Sequence, residues 1–313
     1  MNSISTNSFI SVVIPVYKGE ATIGRVVNEL INTITELFTI EIILVNDNSP
    51  DDSEHECIRL YHQFQGIVRF FSLSKNVGEH NAVMAGLNKS RGDFVVIMDD
   101  DFQNPITEVK TLINAAINNK NDVIYTYYEK KEHSRFRNFG SWFNDKVANI
   151  MLNKPRNLYL SSFKILNRFI VDEIIKYDLP YPYIDGLILR TTDKVGVINV
   201  KHQKREIGES GYTLKKLVSL WLNMFVNFSI LPLRIATIIG FLFSLFGLVF
   251  AIITFVEKIL NPELPVGWAT ITIFISIFAG IQLIALGMIG EYVGRIFLSQ
   301  NKKPQYTIKK SFE

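Results

Sequence analysis

What most constrains this chain is a pair of long stretches without a charged side chain, Ile235 to Val256 and Leu264 to Gly290. At about 1.5 Å per residue in a helix they reach about 33 and 40 Å, against a hydrocarbon core of about 30 Å. Both are long enough to cross a bilayer, the second with tilt or an interfacial end. The alternative is a pair of buried core helices, but such helices seldom run so far without charge. The pattern therefore predicts two membrane spans, joined by a link that contains Glu257, Lys258, Pro262 and Glu263. Arg295, Lys302, Lys303, Lys309 and Lys310 follow the second span, which by the positive-inside rule predicts a cytoplasmic tail over residues 295–313. An even number of spans predicts that the N-terminal domain, residues 1–212, is cytoplasmic as well. The apolar run Phe9 to Val16 is too short for a signal peptide and lacks a basic start.

Before the first span, Leu217, Leu220, Trp221, Met224, Phe225, Phe228 and Leu231 recur three and four apart, with Lys215, Lys216 and Arg234 at the ends. This predicts an amphipathic helix over residues 213–233 lying in the membrane interface, with a plain core helix as the alternative. The two-helix anchor then occupies residues 234–294. Composition narrows the function of the rest. With 33 Lys+Arg against 30 Asp+Glu the net charge is only +3, which argues against a dedicated nucleic-acid binder. A single cysteine, Cys57, excludes a disulfide scaffold or a cysteine zinc cluster and suits a reducing compartment.

In the N-terminal part, short β-branched runs alternate with helical patterns. Strands are predicted at Ile10–Ile14, Ile40–Val45, Val68–Ser72, Phe94–Met98 and Val123–Tyr127. The alternation is that of an α/β domain with a mainly parallel sheet covered on both faces. Ligands of such sheets bind outside the carboxyl ends of the strands. The residues there are Pro15 to Glu20, Asn46 to Asp52, Lys75 to His80 and Asp99 to Gln103. A G-x-G-x-x-G turn, a phosphate loop ending in Lys-Ser/Thr and the H-E-x-x-H zinc spacing are all missing.

The strongest local signal is Asp99-Asp100-Asp101-Phe102-Gln103-Asn104-Pro105 after an apolar strand. Three adjacent carboxylates repel one another unless a cation neutralises them. Mg²⁺ or Mn²⁺ does so with few protein carboxylates, completing its shell with water and phosphate oxygens, so the motif points to a diphosphate ligand. In an extended chain Asp99 and Asp101 project to one side and Asp100 to the other. The bland alternative is an acidic turn before the helix that follows Pro105. Asp47 ends the second strand, where a carboxylate can accept hydrogen bonds from a base or a ribose, or simply form an Asx turn before Pro50. Glu79 and His80 follow Gly78 and receive no chemical role.

Together, Val13-Ile14-Pro15-Val16-Tyr17, Val45-Asn46-Asp47-Asn48-Ser49, Asn76-Val77-Gly78-Glu79-His80-Asn81-Ala82 and the Asp99 to Pro105 motif resemble the family 2 glycosyltransferases of the GT-A fold. More narrowly, Arg205-Glu206-Ile207-Gly208-Glu209-Ser210-Gly211-Tyr212, Leu231-Pro232-Leu233-Arg234, the two spans and Gly290-Glu291-Tyr292-Val293-Gly294-Arg295 are similar to the polyprenyl-phosphate glycosyltransferases. That group includes dolichol-phosphate mannose synthases and bacterial undecaprenyl-phosphate glucose and formamido-arabinose transferases.

The resemblance implies inverting, metal-dependent transfer of a sugar from a nucleotide-diphosphate sugar to a polyprenyl phosphate at the bilayer, for cell-envelope glycans. It implies Mg²⁺ or Mn²⁺ held by Asp99 and Asp101 with Gln103, and a donor pocket formed by Pro15, Tyr17, Glu20 and Asp47. Arg205 and Ser210 fall on the segment that contacts phosphate beside the membrane, and Arg137 on one that helps hold the acceptor phosphate, with a plain surface loop as the alternative. Nothing in the sequence sets the oligomeric state, and a homo-oligomer is compatible with it.

Three positions depart from the family pattern. Lys18-Gly19 replaces the usual Asn before Glu20, Asn48 stands where Gly is common, and no carboxylate occurs between Asp145 and Asp172 to serve as a general base. A catalytically silent membrane scaffold would be favoured by loss of a D-x-D carboxylate, yet both are present. A processive polysaccharide synthase should carry Q-x-x-R-W and more spans, which are missing here.

Overall fold

The computed structural model describes residues 8–128, 158–200, 231–260, 267–301 and 304–313. They divide into two compact units: residues 1–214 with 303–313, and residues 215–302.

The first unit is built on one sheet. Its strands are β1 (Phe9–Val16), β2 (Thr39–Asn46), β3 (Val68–Leu73), β4 (Phe94–Ile97), β5 (Val123–Tyr127), β6 (Lys164–Asn167), β7 (Val195–Asn199) and β8 (Ile308–Phe312). The order across the sheet is β7-β5-β6-β4-β1-β2-β3-β8. The five expected strands all form, and the first four differ from the expected bounds by a residue or two. β4, β1, β2 and β3 run parallel. β6 enters antiparallel between β4 and β5.

Apolar residues fill both faces of the central strands, as a sheet covered on two sides requires. On one face Ile10, Val12, Ile14, Ile42, Leu44, Phe70 and Val96 pack with residues of α1 (Ile23–Ile34), α2 (Ser53–Gln63) and α4 (Ile106–Asn118). Burying one such side chain contributes about 1.5–3 kcal/mol. On the other face α3 (Glu79–Lys89) lies so close to β1 that a Cβ on Gly86 would sit 2.3 Å from Val13 Cγ1. Glycine is what permits that approach. Two further helices follow β6, α5 (Arg168–Ile174) and α6 (Ile184–Thr191).

The tail over residues 295–313 requires a correction. The second apolar helix continues through it to Gln300, and Ile308–Phe312 returns to the first unit as β8, antiparallel to β3. The cause is local chemistry at the edge of β3. Phe312 stacks on Phe70 at 5.7 Å between ring centroids. The Glu313 side chain meets Arg69 at 2.9 Å, Lys89 at 3.2 Å and Arg91 at 3.4 Å. Burial pushes the Glu313 carboxyl up, but hydrogen bonds from Lys89, Arg69 and Ser311 outweigh it and hold the group at about 2. A basic composition concealed a strand.

The second unit contains α7 (Leu231–Leu260) and α8 (Trp268–Gln300). Each is long and apolar enough to cross a membrane, over Ala236–Glu257 and Ile277–Leu298. Large apolar side chains including Phe241, Leu242, Phe255, Leu283, Ile284 and Phe297 are exposed along them, as lipid-facing helices require. Of the expected interfacial helix, residues 213–230 lie outside the described residues.

Candidate active site

The order of strands reverses direction at β1: β2 and β3 follow on one side, while β4 lies on the other. A crevice opens at such a switch point, outside the carboxyl ends of the strands. Pro15 helps open it. Val13 O accepts from Met98 N on the β4 side, and Val16 O accepts from Asp47 N on the β2 side. Residues of a parallel strand alternate between their neighbours, so Pro15 faces β4 just past the last β1–β4 pair, Val13 with Ile97. Proline has no N–H to extend that ladder.

Three loops meet at this edge. The described non-glycine residues with positive φ are Lys18 at 60°, Asn48 at 50° and Phe102 at 59°, one in each loop after β1, β2 and β4. Backbone held in this sparsely populated region clusters at functional sites. It also accounts for one departure from the family pattern: Asn is among the few side chains that tolerate the left-handed conformation, so Asn48 can stand where Gly is common.

Asp47 is buried, and both its oxygens accept backbone hydrogen bonds, from Val77 N at 2.7 Å and Gly78 N at 2.9 Å. Burial pushes its carboxyl up, opposed by these two bonds. The residue thus anchors the turn that begins α3, a role its sequence context did not reveal. Each carboxylate oxygen accepts more than one hydrogen bond, so this anchoring leaves room for a ligand contact.

Tyr17 is exposed just past β1, with Lys18 Nζ 5.8 Å from its ring centre. Glu20 joins the first and second loops: its N donates to Asp51 Oδ2 at 3.3 Å, and its Oε2 accepts from Asp52 N at 3.2 Å. Lys18 N to Ser49 Oγ and Gly19 N to Ser53 Oγ, at 3.2 and 2.9 Å, complete the seam.

The acidic motif leaves β4 as a turn rather than an extended strand. Asp100 closes against the first loop, where a Cβ on Gly19 would lie 2.1 Å from Asp100 Oδ2. Asp99 Oδ2 accepts from Ser162 Oγ at 2.6 Å, and buried Asp101 accepts from Gln103 N at 3.1 Å. Phe102 is held by the Arg25 guanidinium, 4.6 Å from its ring centre. The next polar residue, Asn104, accepts from Tyr128 Oη at 2.6 Å, and Tyr128 shares a 3.2 Å hydrogen bond with Ser161. The motif is thereby supported from β5 and from the segment that enters β6.

Ser162 is the residue that sequence reasoning missed. β4 and β6 pair antiparallel with Ile97 opposite Lys164, and the same register carried two residues further sets Ser162 beside Asp99.

Asp99 and Asp101 offer the hard oxygen donors that Mg²⁺ or Mn²⁺ prefers, and their chemistry fits such an ion. No group of three His, Cys, Asp or Glu side chains suited to a metal occurs among the described residues. A cation held at the two carboxylates therefore takes further ligands from water or from a bound phosphate. Arg137, Arg205 and Ser210 lie outside the described residues.

Beneath this edge Asp185 accepts from Lys164 Nζ and, at 2.8 Å, from Tyr125 Oη, all three being buried. His80 packs edge-on to Tyr183 with ring centres 5.2 Å apart. Burial lowers its imidazole to about 4, with Asp185 raising it and Lys164 lowering it.

The mainly parallel sheet, with carboxylates at the carboxyl ends of β2 and β4, has the architecture of the GT-A type. The family model described as glycosyl transferase family 2 matches residues 11–175, and the chain belongs to that family. It is a glycosyltransferase. It is 32% identical over 324 residues to undecaprenyl-phosphate 4-deoxy-4-formamido-L-arabinose transferase of Edwardsiella ictaluri, covering 99% of this chain and 96% of that protein. To the transferase of the same name from Photorhabdus laumondii it is 29% identical over 308 residues, 96% of this chain and 93% of the relative. Among solved structures, glucosyl-3-phosphoglycerate synthase from Mycobacterium tuberculosis with Mn²⁺, uridine diphosphate and phosphoglyceric acid shares the fold, at a TM-score of 0.53 and 18% identity. That match covers 70% of this chain and 79% of the synthase.

Proposed function

We propose that this glycosyltransferase moves a sugar, with inversion, from a nucleotide-diphosphate sugar to a polyprenyl phosphate at the cytoplasmic face of the inner membrane. The observation that carries the reading is the meeting of Asp47, Asp99 and Asp101 at one edge of the sheet, in a chain that also has two lipid-type helices. The near full-length similarity to undecaprenyl-phosphate transferases supports the acceptor class.

In the reaction the C1–O bond to the donor diphosphate breaks as a C1–O bond to the acceptor phosphate forms, and the nucleoside diphosphate leaves. Asp99 and Asp101, with Gln103, hold the divalent cation, and Ser162 orients Asp99. When bound, that ion supplies positive charge against the leaving diphosphate. Asp47, Tyr17 and Glu20 line the donor side, and Pro15 keeps the crevice open.

The lack of a carboxylate between Asp145 and Asp172 fits this acceptor. A sugar hydroxyl needs a base to take its proton. A phosphate monoester, with a second pKa of about 6, is largely dianionic at neutral pH and already nucleophilic. It needs cations instead, and Arg205 and Arg137 supply them, with Ser210 adding a hydrogen bond.

The test is to incubate membranes containing the protein with a panel of labelled nucleotide sugars and extract the lipid. Label in a polyprenyl-phosphate sugar is the expected result. Transfer only to water-soluble acceptors would overturn the acceptor class.

A further inference from the structure

β8 follows α8 in the chain after residues 301–307, and its pairing with β3 closes one edge of the sheet. Phe312 and Glu313 secure that strand at Phe70 and Arg69. One of its side chains reaches elsewhere. Lys310 Nζ lies 2.5 Å from Glu54 Oε1, in the first turn of α2.

The contact continues inward. Glu54 Oε2 accepts from Ser72 Oγ at 2.5 Å, and Ser72 Oγ accepts from Asn46 Nδ2 at 3.4 Å. Asn46 Oδ1 in turn accepts from Ser49 N at 3.1 Å. Asn46 and Ser49 bracket Asp47 and the left-handed Asn48. Ser72 and Asn46 are fully buried, where an unmade hydrogen bond costs more than a made one contributes. The donors and acceptors therefore fix one another's orientation, and the strained turn that carries Asp47 is tied at its outer end to Lys310.

We propose that β8 is a positioning element of the donor pocket, acting through Lys310, Glu54 and Ser72 on the Asn46–Ser49 turn. Nucleotide affinity then depends on a segment that lies beyond the second apolar helix in sequence. The inference rests on the donor-pocket reading above. Edge protection alone would explain the backbone ladder and Phe312. It would not call for a lysine on Glu54, since Lys310 Nζ takes no part in the ladder.

The experiment uses the full chain in detergent and titrates UDP and GDP, each with Mn²⁺, by calorimetry. Lys310→Met should weaken binding of the preferred nucleotide about threefold, the scale of a half-exposed ion pair. Lys310→Arg should restore it. Glu54→Gln should weaken binding similarly, and the double variant should be no worse than either single one, because the two act as a unit. Lys309→Met loses the same charge from the same strand; Lys309 acts on Glu54 through space but only Lys310 hydrogen-bonds it, so Lys309→Met should weaken binding less than Lys310→Met. Turnover at saturating donor should stay within about twofold of wild type in Lys310→Met, since only donor affinity is lost.

Unchanged affinity in Lys310→Met, or an equal loss in Lys309→Met, would overturn the positioning role while leaving the donor pocket intact. Failure of the wild type to bind either nucleotide would overturn the donor-pocket reading, and this inference with it. Lys310 is on an exposed stretch of β8, so its variants fold even where Glu54→Gln does not.

Discussion

Ser162 Oγ donates a 2.6 Å hydrogen bond to Asp99 Oδ2 across 63 positions of sequence. The contact follows from the antiparallel register of β4 and β6, which brings a hydroxyl to a carboxylate at the mouth of the crevice. A hydrogen bond to a charged group contributes about 1.5–3 kcal/mol, enough to hold one rotamer of Asp99.

Ser162→Ala should therefore raise the Mn²⁺ concentration for half-maximal transfer about tenfold, the equivalent of about 1.4 kcal/mol. Ser162→Thr, which keeps the hydroxyl, should retain most of the affinity. Metal activation curves decide the matter, and superimposable curves for wild type and Ser162→Ala would remove the residue from the site.

Asp101→Asn tests the metal assignment itself. Removing one of two carboxylates weakens the cation that offsets charge on the leaving diphosphate, and transfer should fall roughly a hundredfold or more. Wild-type activity should vanish in EDTA and return with Mg²⁺ or Mn²⁺. Full turnover of Asp101→Asn in EDTA would refute metal dependence. The amide oxygen of the replacement can still accept from Gln103 N, so the turn should stay folded, and a melting curve checks this.

Arg205 is expected to act on the acceptor and not on the donor. Arg205→Ala should lose roughly 2 to 4 kcal/mol of transition-state stabilisation, about a hundredfold or more in rate, with donor affinity nearly unchanged. Arg205→Lys keeps the charge without the planar fork and should fall between. Donor affinity and transfer rate are measured separately; an equal loss in both would remove Arg205 from the acceptor site.

His80 makes stability depend on pH. Burial holds its imidazole down at about 4 in the fold against 6.5 unperturbed, with the Asp185 charge raising it and the Lys164 charge lowering it. Between these values the unfolded chain binds more protons than the folded one, so stability rises with pH. The stabilisation is complete above 6.5 and is lost as pH falls toward 4. Urea midpoints of the full chain across this window should fall with decreasing pH, and His80→Gln should flatten the slope. An identical slope in both proteins would show that His80 does not titrate in this way.

The sequence by itself determined the five parallel-type strands, the two apolar helices and the position of Asp47, Asp99 and Asp101 at strand ends. Each of these depends on residues close together in the chain: β-branched runs, uncharged stretches, a carboxylate cluster after an apolar segment. Glu20 was legible as a member of the first loop for the same reason, whereas Pro15, expected there too, lies inside β1, and its part in parting β1 from β4 was not legible. Only the tertiary structure decided what depends on pairing between distant segments. The insertion of β6 put Ser162 on Asp99, the anchoring of the β3–α3 turn engaged both oxygens of Asp47, and Lys164 met Asp185 under the sheet. Lys310 and Glu54 lie 256 positions apart. A lysine-rich tail carries no local sign that one of its charges ends on a glutamate of α2, because strand addition at an edge is selected by the partner's free backbone and by burial of Phe312 on Phe70.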